Sequence, residues 1–114
     1  MIKAGQLRDR LTFQRRATTD DGYGNTEGAW TDQFTIAANI LPLKGGEEVL
    51  AGRLTGTQPV VISVRSETRT KRINAGWRAI DARSGTVYAL TSPSADMEGR
   101  GLFLTIMATS GIAA

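Results

Sequence analysis

Neither cysteine nor histidine occurs anywhere in the 114 residues. Without cysteine there is no disulfide framework and no thiolate chemistry. Without histidine the commonest general base and the commonest metal ligand are both missing. A transition-metal site would have to rest on carboxylates alone, which is unusual for zinc. Long apolar runs are missing too, since none approaches the roughly 20 residues that cross a bilayer. The start MIKAGQLRDR has no apolar h-region, so no signal peptide is expected and synthesis in the cytosol is the simple reading. A strong charge imbalance is also lacking. Lys and Arg number 14 against 11 Asp and Glu, a net +3 that permits contact with nucleic acid without requiring it. The length fits one domain over 1–114, large enough to fold without covalent staples.

What is present is a succession of strand patterns separated by turn formers. In AGQLRDRLTFQRR, Leu11 and Phe13 alternate with Arg10, Thr12 and Gln14. This predicts a half-buried strand over about 8–17. Residues 18–28 are rich in Asp, Gly and Asn and read as a long hairpin loop. A second strand is expected over 30–43, with Trp30, Phe34, Ile36, Ala38 and Ile40 on one face. Asp32 falls on the apolar side of that count, which points to a bulge or a late strand start. Pro42 ends regular pairing or confines it to an edge. In the segment that follows, Glu47 and Glu48 suit the first turn of a short helix. Its partial apolar stripe is weakened by Gly52 and Gly56, so a short helix or a long loop is expected there. Further strands are predicted over 59–66, with Val60, Ile62 and Val64 inward, and over 77–82 and 87–93. The last covers 102–109, with Leu102, Leu104, Ile106 and Ala108 inward. A basic connection spans 68–76. The expected fold is all-β: a small antiparallel barrel or sandwich of about six strands, with one short helix or long loop between strands two and three.

Candidate chemistry is sparse. Asp20 and Asp21 could pair for acid–base work or calcium, but adjacent acids before Gly are ordinary turn formers and the later ligands of an EF-hand are missing. Gly22, Gly24 and Gly28 lack the strand-before, helix-after setting of a phosphate loop. Glu47 and Glu48 have no base, nucleophile or metal ligand to work with. No catalytic, cofactor or metal residue is therefore assigned, and the chain is not expected to be an enzyme. Arg65, Arg69, Lys71, Arg72, Arg78 and Arg83 form a basic span that either meets phosphates or an acidic partner, or is a solvated face. A nucleic-acid module would usually add aromatic stacking platforms, and only Trp77 and Tyr88 lie nearby.

The order of motifs carries more than any single one. Met1 to Gln14 resembles the opening of the phage head–tail joining family, also called head-closure or stopper proteins, in which Gly-x-Leu-Arg-x-Arg leads into a first strand ending in Gln. Asp21-Gly22 and Trp30 follow in the family order. So do Ile40-Leu41-Pro42-Leu43-Lys44-Gly45-Gly46-Glu47-Glu48, the strand Val60 to Arg65, then Ile73 and Tyr88. Ala37-Ala38-Asn39-Ile40 and Arg65-Ser66 depart from the usual aromatic-Ala and Arg-Tyr.

The resemblance implies a homo-oligomeric ring below the portal and adaptor, retaining packaged DNA and presenting a docking surface to tail terminator or tail tube proteins, with no membrane involved. Its location would be the head–tail interface of the virion, after synthesis in the bacterial host. A phage, a prophage and a gene transfer agent all remain open. Arg8, Arg10 and Arg16 are then candidates for contacts to a neighbouring copy or the adaptor, since guanidinium forks pair well with carboxylates. Gly45, Gly46, Glu47, Glu48, Val49, Leu50, Arg53 and Leu54 form the candidate channel or gating loop. A small basic nucleic-acid-binding barrel is the alternative reading.

Overall fold

Leu11 and Phe13, the apolar half of the first alternation, are fully buried, and Arg10 beside them is exposed. The structure, a computed structural model, describes residues 5, 7–18, 27–43, 56–96, 99 and 101–111. Six strands follow in chain order: β1 (Asp9–Thr18), β2 (Glu27–Pro42), β3 (Gln58–Arg65), β4 (Arg78–Asp81), β5 (Val87–Leu90) and β6 (Phe103–Ser110). They close into a barrel in the order β1-β2-β3-β6-β5-β4, with every neighbouring pair antiparallel. Closure pairs both sides of the strands in the barrel body, which there removes the usual route to unwanted strand addition.

The core is filled by alternate residues of each strand. Val60, Ile62 and Val64 of β3 face Leu104, Ile106 and Ala108 of β6, all buried. Ala38, Ala79 and Ala108 are the small members of this cluster. Mixing small and large side chains lets a narrow barrel fill without voids. Burying a side chain such as Phe13 contributes roughly 1.5–3 kcal/mol. At the far end of β6, Gly111 has a positive φ of 85°, and an added Cβ would run into the Gly56 carbonyl oxygen, so only glycine fits.

Three expectations are corrected. The bulge expected at Asp32 is present, since Phe13 pairs with Phe34 but Gln14 pairs with Asp32, leaving Gln33 over; what changes is the face of Trp30 beyond it. The extra residue shifts the two-residue alternation by one. Asp32 therefore faces Gln14, to which it is hydrogen bonded, and Trp30 lies opposite Arg16, outside the core cluster. Leu102 precedes β6 and is 55% exposed rather than inward. β5 ends at Leu90, short of Pro93. The chain then crosses over β6 through the Thr91 N–H to the Met107 carbonyl and a bridge from Ala95 to Thr105. Pro42 does end β2, as its missing N–H requires.

Candidate interaction site

β1 and β2 run further than their neighbours. β4 pairs with β1 only as far as Arg78 opposite Gln14, and β3 pairs with β2 only over Asn39–Pro42. Beyond those limits the β1–β2 hairpin continues as a two-stranded arm bearing Arg15, Arg16, Trp30 and Thr31. The foot of this arm meets the basic connection between β3 and β4.

That connection is anchored from within. A single 3₁₀ turn (Thr70–Arg72) presents Thr70 and then Ile73 to the core, both buried. Residues three apart align on such a turn. The Thr70 hydroxyl donates to the Arg65 carbonyl at 2.7 Å and accepts from the Glu67 N–H at 2.9 Å. With these two side chains turned in, Arg69, Lys71 and Arg72 are left exposed. Arg69 is held in place twice. It pairs with Glu67 at 2.7 Å, and its guanidinium lies over the Phe34 ring, 5.3 Å from the centroid.

Two adjoining depressions result. The first, about 410 Å³, is lined by Arg15, Gln33, Phe34, Arg69, Arg72 and Trp77. Its aromatic floor continues into the core, because the Phe34 ring makes tilted contacts with Phe13 at 5.3 Å and with Trp77 at 6.4 Å between centroids. The second, about 320 Å³, opens where β2 leaves β3 and brings Arg10, Arg65, Glu67 and Arg69 around Ala37. On the arm, Trp30 lies beneath two guanidinium groups, Arg78 at 4.5 Å and Arg16 at 5.0 Å from its ring centroid. Arg78 also donates to the Gln14 side chain at 2.6 Å.

The two arginine sets expected from sequence therefore merge rather than stay apart. Arg10 joins Arg65 and Arg69, and Arg16 joins Arg78 across Trp30. Arg8 donates to the Gly5 carbonyl at 3.4 Å. Arg83 lies in the β4–β5 turn, where its backbone N–H donates to Asp81, and it lines neither depression. Lys71 is exposed on the 3₁₀ turn and lines neither. The expected channel loop of Gly45, Gly46, Glu47, Glu48, Val49, Leu50, Arg53 and Leu54 lies outside the described residues. Sequence reasoning missed Arg15, Gln33 and Phe34 as site residues. One signal was available: Arg15 occupies the same alternation as the buried Leu11 and Phe13.

Fold and site together define a small closed antiparallel barrel with an arginine–aromatic surface at the root of a hairpin arm. The chain belongs to the phage head completion protein family, whose model matches residues 2–111, and it is therefore a phage head protein. The same fold occurs in the solution structure of protein SF1141 from Shigella flexneri 2a. That likeness has a TM-score of 0.69 and 24% identity, covering 99% of this chain and 100% of the other. A chain in the virion of a native gene transfer agent particle is also similar, with a TM-score of 0.65 and 18% identity over 92% of this chain and 94% of that one. No curated protein matches the sequence.

Proposed function

We propose that the chain is a single-domain, non-catalytic head-closure component that assembles as a ring below the portal and adaptor, helps retain packaged DNA, and offers the tail its docking surface. The observation that carries this reading is the clustering of arginines from β1, β3 and β4 on one wall of a barrel that belongs to the head completion family. Closure pairs the strands of the barrel body, so on that body copies meet through side chains. The arm, among the described residues, keeps unpaired strand edges beyond Gln14 of β1 and before Asn39 of β2. Arg8, Arg10 and Arg16 are the contacts we assign to a neighbouring copy or to the adaptor, because guanidinium forks give orientation as well as attraction. The likeness to a gene transfer agent virion chain is in keeping with a place inside a particle.

Native mass spectrometry of the chain mixed with its own portal–adaptor complex tests the reading. Addition of several copies as one discrete ring is expected, and the double substitution Arg8→Ala, Arg10→Ala should prevent it. Unchanged addition by that variant would remove the contact role. The nucleic-acid reading predicts a salt-dependent complex of the isolated chain with an oligonucleotide. Against it, Phe34 and Trp30 already carry guanidinium groups over their rings, where a stacking protein would offer bare faces.

A further inference from the structure

The 410 Å³ depression at the foot of the arm has the chemistry of a carboxylate receptor. Arg15, Arg69 and Arg72 all line it with no carboxylate among the lining residues, and Glu67 is already paired with Arg69. The Arg15 and Arg72 side chains have no ion pair or hydrogen bond among the described residues. Arg15 is set at an inward-facing position of β1, two residues after Phe13, so its stem lies in line with the core while its head reaches the depression. Like charges gathered in a concave, partly apolar place repel one another until an anion joins them. The half-buried rings of Phe34 and Trp77 lower the local dielectric and strengthen any anion contact made there.

We infer that this depression receives an acidic segment of a neighbouring virion protein, with an Asp or Glu carboxylate held by Arg15 and Arg72 and an adjacent apolar side chain resting on Trp77. Charge complementarity sets the sign of the partner, and the shape sets its class. The space admits a side chain or two and is too confined for a duplex, whose phosphates lie on a broad convex surface. Stacking of single-stranded bases is disfavoured because Arg69 covers the Phe34 ring. Arg69, fixed by Glu67 and Phe34, acts as the rigid back wall. Arg15 and Arg72 are the groups that close on the ligand. The inference rests on the head-protein reading for the kind of partner, but its chemistry is tested separately.

The test is a titration of ¹⁵N-labelled protein with the synthetic peptide acetyl-Asp-Glu-Phe-Glu-Asp-amide, followed by NMR. Controls are the peptide with Asn and Gln in place of the acids, and a thymidine dodecamer. Shifts should concentrate at Arg15, Gln33, Arg72 and the Trp77 indole N–H. Losing one charge-assisted contact weakens binding about tenfold or more, so Arg72→Gln and Arg15→Gln should each do so, while Arg83→Gln should not. Shifts spread evenly over all arginines, an equal response to the uncharged peptide, or tighter binding of the dodecamer at these residues would each overturn the inference. A chain that ignores the peptide yet still joins the portal–adaptor complex would overturn this inference and leave the assembly reading standing. A chain that binds the peptide in this depression but never enters particles would uphold the receptor and end the assembly reading.

Discussion

The barrel has two walls of different character around one core. Where β2, β3 and β6 run side by side, the row Leu41–Val61–Met107 faces out with no charge. In the row Asn39–Ser63–Thr105, also uncharged, Ser63 is buried and Thr105 is bridged by Ala95. Leu41 is 57% exposed and Met107 41%. On the wall made by β1, β2 and β4, the outward positions include Arg10, Gln14, Arg16, Asp32 and Arg78, with Trp30 among them. The inward residues of both walls are the same kind of aliphatic and aromatic filling. Alternation thus lets one interior serve two surfaces: folding is fixed by the inward half of each strand, leaving the outward half free to specialise. An uncharged row is cheap to dehydrate, whereas a guanidinium wall is costly to dehydrate but selects partner and orientation.

The contrast can be broken at several points. Ile106→Ala, in the core beneath the neutral wall, should cost about 2–5 kcal/mol of stability by urea denaturation. Arg72→Ala, on the exposed 3₁₀ turn at the foot of the arm, should stay within about 0.5 kcal/mol, and equal costs would mean that the basic face is part of the folding core. Thr70→Val should cost about 1–3 kcal/mol by the same measurement, because the Arg65 carbonyl and Glu67 N–H lose a buried partner. Trp30→Ala removes two exposed cation–π contacts and should cost about 1–2 kcal/mol. Met107→Glu should change stability by no more than about 0.5 kcal/mol. It should also leave assembly intact if the arginine wall carries the contacts. Assembly lost in that variant alone would move the interface to the neutral wall.

The smallest effect concerns alkaline pH. Burial, aided by the charges of Asp81 and Asp9, raises the Tyr88 phenol above its ordinary 10.0. The folded chain then holds this proton more tightly than the unfolded one. The resulting stabilisation is complete below about pH 10 and is lost as pH rises through the raised value. Tyr88→Phe should therefore flatten the alkaline limb of a stability–pH curve without moving the neutral plateau's slope.

Much of the barrel was legible because β1, β3 and β6 alternate without interruption: Leu11 and Phe13, Val60 to Val64, and Leu104 to Ala108 all face inward as read. The site was less legible because it depends on a single extra residue. Gln33 shifts the alternation of β2, turning Trp30 out to Arg16 and Arg78. Asp32 on the apolar side of the count signals a bulge there, but the alternation alone still puts Trp30 inward. The convergence of Arg15 with Arg69 and Arg72 joins positions more than fifty apart in the chain, a tertiary fact that no short pattern contains. Thr70 looked like one more polar residue in a basic run, and only its burial shows that it and Ile73 aim the arginines outward.

The central claim is that this barrel works by side-chain docking of many copies onto the portal side of a phage head. Native mass spectrometry of the chain with its own portal–adaptor complex addresses it most directly. The account predicts a discrete multi-copy ring that disappears with Arg8→Ala, Arg10→Ala. A chain that stays monomeric beside an intact portal–adaptor complex would contradict it.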